Sequence, residues 1–191
     1  TADAVFGIYP ANSNNESVNI EGHEFDFPRQ LVDKGPDKIN YSLADFISPD
    51  QDWIGMFAVT TGKGIEDVIL EFEKNHDDYR IIMIKAIADR LAEAFAEKLH
   101  QMIRVDYWGY STEKNMPIEQ LIKEKYDGIR PAPGYPACPG HEEKDKIWEI
   151  LDVEKEVGIT LTESRAMYPA ASVSGWYFSH PNSIYFSVLN N

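Results

Sequence analysis

From Asp77 onward, Ile81, Ile84, Ile87, Leu91, Phe95, Leu99 and Met102 recur at three- and four-residue steps, the spacing of side chains on one face of an α-helix. The stretch predicts a long amphipathic helix with Asp77 or Asp78 as its N-cap. Such a helix must lay its apolar stripe on another layer. Strand-like segments supply one: Ala4 to Tyr9 and Ser17 to Ile20, with Asn12-Ser-Asn-Asn15 as a turn between them, and the buried-strand run Trp53 to Thr60. Ala170 to Ser179 and Ser183 to Leu189 read as a terminal hairpin turning at His180-Pro-Asn-Ser183. Shorter helices are expected over Pro117 to Tyr126 and over Glu142 to Val157, the latter ending at Gly158. Strands at both ends with helices between lack the strand-helix alternation of a doubly wound sheet, so the expected class is α+β, one domain over 1–191 with a mainly antiparallel sheet.

The chain has 191 residues, 43% of them apolar, enough for one packed core. Its formal charge of -14 opposes binding to nucleic acid or to an anionic membrane. No apolar run is long enough to span a bilayer and no secretory leader is readable, so a cytoplasmic setting is expected. A single cysteine, Cys138, excludes an internal disulfide or a thiolate metal cage, and the five histidines show no metal-ligand spacing. Gly62-Lys-Gly64 lacks the rest of a phosphate loop, and the glycine-rich turn of Rossmann-type methyltransferases is absent.

Arg130 to Pro139 places four prolines and a glycine in ten residues, which forbids a regular helix or ladder and fixes a stiff, extended backbone. Arg130 carries a planar fork suited to a carboxylate, Gly134 permits close approach to the backbone, and Tyr135 offers a flat face and a hydroxyl. Taken alone these residues describe an anion-binding loop, and a lone arginine is more often an ordinary salt-bridged one. Asp89, Glu93 and Glu97 sit four apart on one helical face with His100 nearby. Such a row is ordinarily a solvated face, although Glu93 could accept hydrogen bonds from an ammonium. Tyr185 and Phe186 are adjacent in the expected terminal strand, where one could pack and the other meet a ligand. Cys138 reads as a structural thiol rather than a nucleophile, because nothing near it in sequence would lower its pKa.

Several segments together resemble the activation domain of cobalamin-dependent methionine synthases: His76-Asp-Asp-Tyr79 leading into Ala88-Asp-Arg-Leu-Ala-Glu-Ala-Phe-Ala-Glu97, Tyr107-Trp-Gly-Tyr110, Gly128 to Pro139, and Ala171-Ser-Val-Ser-Gly-Trp-Tyr-Phe-Ser-His-Pro181. Leu161-Thr-Glu-Ser164 and Gly7-Ile-Tyr-Pro-Ala-Asn12 extend the likeness along nearly the whole chain. The resemblance implies a curved domain with a twisted antiparallel sheet, clustered helices and S-adenosylmethionine in a shallow groove. It carries ligand contacts onto Glu93, Arg130, Ala132, Gly134, Tyr135 and Tyr185, and turns Asp89 and Tyr135 toward a separate cobalamin-carrying domain. Phe186 stands where some relatives have a second tyrosine. The implied activity is reactivation: an electron from flavodoxin or another reductase and a methyl from S-adenosylmethionine convert inactive cob(II)alamin to methylcobalamin, in an enzyme that makes methionine. Relative to the family the chain is expected to be shortened at both ends, missing an upstream aspartate of the ligand site. The competing expectation is a non-catalytic module that docks onto a cobalamin-carrying domain and holds no methyl donor.

Overall fold

A computed structural model describes residues 1–31, 38–114 and 116–189. Its centre is a strand apolar on both faces, β4 (Asp52–Thr60), in which Ile54, Met56 and Ala58 alternate with Phe57 and Val59, all fully buried. A strand that buries both faces needs a layer on each side. On one side Ile54, Met56 and Ala58 join Phe25, Phe27, Trp176 and Phe178 in a core closed by α4 (Glu143–Leu151) and α5 (Val153–Val157). On the other, Phe57 and Val59 meet Ala96, Leu99 and Ile103 at the end of the long helix α2 (Asp78–Met102).

The sheet is antiparallel and five-stranded, in the order β3-β2-β1-β4-β7. Strand β1 (Asp3–Asn14) pairs with β4 from Asp3 to Ala11 and with β2 (Ser17–Ile20) from Ala11 to Asn14, so one strand serves two neighbours and the sheet curls. It runs past the expected turn, which shrinks to Asn15 and Glu16, with Asn15 in the left-handed region that asparagine tolerates. Glu21 and Gly22, both at positive φ, then make the tight turn into β3 (His23–Asp26), a strand the sequence reading did not anticipate. β7 (Ser172–Tyr177) lies on the far side of β4, and a separate two-stranded ribbon joins β5 (Thr160–Leu161) to β6 (Met167–Tyr168).

Three expectations need correction. Residues 183–189 form no strand, because the free edge of β7 is already taken: Ile129 and Phe178 exchange both backbone hydrogen bonds at 3.0 Å, and Trp176 N–H donates to Pro131 O. The helix expected over Glu142 to Val157 breaks at Asp152, whose φ of 49° separates α4 from α5. α3 (Ile118–Ile122) is shorter than the expected Pro117 to Tyr126, and α1 (Ile65–Lys74), which packs against α2, was not foreseen.

Helix α2 begins where the sequence indicates, with the Asp77 carboxylate accepting from Arg80 N–H at 3.1 Å. Asp77→Ala is expected to lower stability by about 1 kcal/mol, read as a shift in urea midpoint with unchanged slope. The buried face of α2 differs from the predicted stripe. Ala88, Ala92, Ala96 and Leu99 are buried, whereas Ile87 and Leu91 are more than half exposed. Small side chains on that line let the helix axis approach the sheet closely enough to bring its charged neighbours to the end of β7.

Candidate functional site

The proline-rich segment is held to the edge of β7 and then turns sharply. Gly134 N–H donates to Cys138 O (2.8 Å) and Gly140 O (3.0 Å), and Cys138 N–H to Tyr135 O (2.9 Å). Gly134 has φ +89°, a conformation that requires glycine, and a Cβ there would also displace the exposed His141 imidazole. Gly175 on β7 is required for a different reason: a Cβ would run into the Pro131 carbonyl and come within 3.2 Å of the Ala132 side chain.

This loop forms one wall of a cleft of 320 Å³, within the range of about 300–1,000 Å³ usual for small-molecule sites. Glu93 and Val173 stand on a second side, Tyr185 and Phe186 on a third, and Phe57 contributes from the sheet. The structure therefore gathers Glu93, Arg130, Ala132, Tyr135 and Tyr185 around one space. Gly134 lines a smaller depression that shares Glu93, Ala132 and Tyr135 with the cleft. Asp89, one turn before Glu93, lies in the next groove along α2, against Ala170 and Ala171. Glu124 also lines the cleft, at a position the sequence reading did not single out.

Behind the loop sits a buried polar cluster. Arg130 Nη1 donates to Glu97 Oε2 at 3.1 Å and lies 3.3 Å from His100 Nδ1. The Tyr126 hydroxyl donates to the same Glu97 oxygen at 3.0 Å. Arg104 is 2% exposed, stacks 3.5 Å above the Tyr126 ring and places Nη1 3.8 Å from Glu97 Oε1. Glu97, only 25% exposed, is thus more than one of a solvated row of helix acids: it is the anionic centre of this cluster. Arg130 N–H donates to the Tyr185 hydroxyl at 2.9 Å, and burial pushes that phenol up to about 12, so it stays neutral.

His100 is fully buried and stacks on Tyr177 at 4.9 Å. Burial, reinforced by Arg104 and Arg130, holds its pKa well below 6.5. Because arginine can only donate, Nδ1 is the acceptor and Nε2–H faces the Tyr110 hydroxyl 3.3 Å away. The unfolded chain protonates this imidazole near pH 6.5 and the folded chain does not. Stability at this position is therefore complete above that pH and falls below it, by about 1.4 kcal/mol per unit until the folded pKa is reached. Urea midpoints of the parent and His100→Gln between pH 7.5 and 5 should converge as the pH drops; parallel curves would exclude His100 as the source.

With His100 neutral, two guanidinium cations face one carboxylate in the cluster, and Arg130 brings a cationic side chain to a cleft whose lining also holds the carboxyls of Glu93 and Glu124. Cys138, by contrast, is buried with its thiol pushed up to about 12 by burial and then by Glu143 and Glu142, the opposite of an activated nucleophile. Among the described residues no helix is long and apolar enough to cross a membrane, and no three His, Cys, Asp or Glu side chains gather into a metal site.

A family model for the vitamin B12 dependent methionine synthase activation domain matches residues 1–190. The chain belongs to that family. Among solved structures, this activation domain is similar to the crystal structure of the MetH reactivation domain bound to AdoHcy, with 50% sequence identity and a TM-score of 0.93. The match covers 98% of this chain and 61% of that one, so the chain spans about three fifths of the solved domain's length.

Proposed function

We propose that this activation domain holds S-adenosylmethionine in the cleft beside Arg130 and presents it for the reductive methylation of cob(II)alamin, restoring methylcobalamin in a methionine synthase. The observation that carries the reading is the Arg130 guanidinium, tethered at Nη1 by Glu97, standing in one cleft with the carboxyls of Glu93 and Glu124 beside a stiff backbone. The carboxylate of an α-amino acid pairs with the planar guanidinium, and its ammonium suits an acidic neighbour. The similarity to a reactivation domain that binds AdoHcy supports the same ligand class.

In this reading Arg130 takes the carboxylate, and the backbone and side chains of Ala132, Gly134 and Tyr135 line the nucleoside. Glu93 accepts hydrogen bonds from ligand hydroxyl or ammonium groups. Tyr185 lines the same cleft, and its hydroxyl accepts the Arg130 backbone N–H. The bound donor supplies an activated methyl on a sulfonium. The chain's own contribution is to fix that donor in place, a role that needs no proton transfer. A cobalamin-carrying domain docks, in this account, over the face where Asp89 and Tyr135 are exposed, and flavodoxin or another reductase supplies the electron.

Calorimetric titration of the chain with S-adenosylmethionine tests this. Saturable binding at one site is expected. Failure to bind, together with retained affinity for a cobalamin-carrying domain, would leave the docking-module reading in its place.

A further inference from the structure

The sequence reading assigns Glu97 no role, yet the structure makes it the point on which Arg130 rests. One carboxylate oxygen, Oε2, accepts from both Arg130 Nη1 and the Tyr126 hydroxyl. The other, Oε1, is buried without a hydrogen bond among the described residues, as is Arg104 Nη1 facing it at 3.8 Å. That gap is too long for a hydrogen bond, so Arg104 supplies charge to Glu97 more than a directed contact. Glu97 is therefore held by Tyr126 on one side and balanced by Arg104 on the other, and it in turn ties down one end of the Arg130 fork. The Arg130 Nε and Nη2 groups make no hydrogen bond among the described residues, and the side chain lines the cleft.

We propose that Glu97 is a positioning residue: by tethering Nη1 of Arg130 it presents the remaining guanidinium N–H groups to the carboxylate of the ligand. The inference rests on the proposed function, since it assigns the ligand's carboxylate to Arg130. Arginine has many rotamers, and a fork held at one end loses less freedom when it pairs at the other. Removing Glu97 also takes away the carboxylate that stands between Arg104 and Arg130, and with it the contact that holds Arg130 in its present place. Plain Coulomb attraction would work the opposite way, because loss of a nearby anion should strengthen anion binding. The two effects have opposite signs, so the sign of the change decides between them.

The probe pair is AdoHcy and methylthioadenosine, a nucleoside thioether in which a methyl replaces the chain that bears the amino-acid carboxylate and ammonium. Titrating both into the parent, Glu97→Gln and Glu97→Ala separates a tether from general damage. AdoHcy affinity should fall roughly tenfold in Glu97→Ala and less in Glu97→Gln, which keeps an acceptor, while methylthioadenosine affinity stays at the parent value. Equal weakening of both ligands, or AdoHcy affinity that is unchanged or increased, overturns the positioning role and leaves the ligand reading standing. A parent that binds neither ligand, or both equally, overturns the ligand reading and the inference with it. Should Glu97→Ala fold poorly, Tyr126→Phe removes the second bond to Oε2 and must lower the AdoHcy-to-methylthioadenosine ratio in the same direction. An unchanged ratio in that variant and in Glu97→Gln also overturns the tether.

Discussion

Arg130→Ala should lower the affinity for S-adenosylmethionine or AdoHcy by about 100-fold or more, since it removes charge-assisted hydrogen bonds worth about 1.5–3 kcal/mol each. The fold should survive, because Glu97 and Arg104 remain as an oppositely charged pair once Arg130 is gone. Stability and affinity must therefore separate: a small shift in the denaturation midpoint beside a large loss in calorimetric affinity. Arg130→Lys keeps the charge but replaces the planar fork with a compact ammonium, and should recover only part of the loss. If Arg130→Ala binds as the parent does, the ligand carboxylate lies elsewhere and the assignment fails.

Gly175→Ala should destabilise the chain by about 1–3 kcal/mol, the usual cost of overpacking, and should weaken ligand binding as well. The added Cβ meets the Pro131 carbonyl, and this carbonyl accepts the Trp176 N–H that fastens the loop to β7. β7 is paired with β4 along its length and Trp176 is buried against Phe25 and Phe27, so the strand cannot yield. The loop must move, and Ala132 moves with it out of the cleft wall. Chemical denaturation and titration of the same preparation check both halves. Loss of stability with unaltered affinity would mean that the loop keeps its place and the strand distorts instead.

These two substitutions show where sequence reasoning reached and where it stopped. The proline-rich loop was legible because proline and glycine act on their own backbone. So was β4, because its uninterrupted apolar run demands burial. The α2 stripe was read from residue type, and it erred at Ile87 and Leu91 because close packing against the sheet selects for small side chains. Alanines won that face and the larger residues were turned outward. The terminal hairpin was misread for a related reason: local composition favours a strand at 183–189, but the β7 edge it needs is occupied by Ile129 to Pro131, far off in sequence.

The site was half legible. Glu93, Arg130, Ala132, Tyr135 and Tyr185 line one cleft, and their contact with a ligand is part of the proposal. The residues behind it could not be inferred, since Glu97, Arg104 and Tyr126 have no local signature and acquire meaning only when α2 and the loop meet. A carboxylate in a helical row of acids looks solvated until an arginine thirty-three residues away is seen against it. Two arginines facing one carboxylate behind the cleft were the missing signal.

Arg130 is proposed to receive the amino-acid carboxylate of a nucleoside sulfonium or thioether. The most direct measurement is a crystal structure of the chain with AdoHcy. The account predicts the carboxylate paired with Arg130, and the nucleoside against Ala132 to Tyr135 with Glu93 in hydrogen-bond reach. An AdoHcy whose carboxylate points to solvent, or which lies outside the Arg130 cleft, would contradict it.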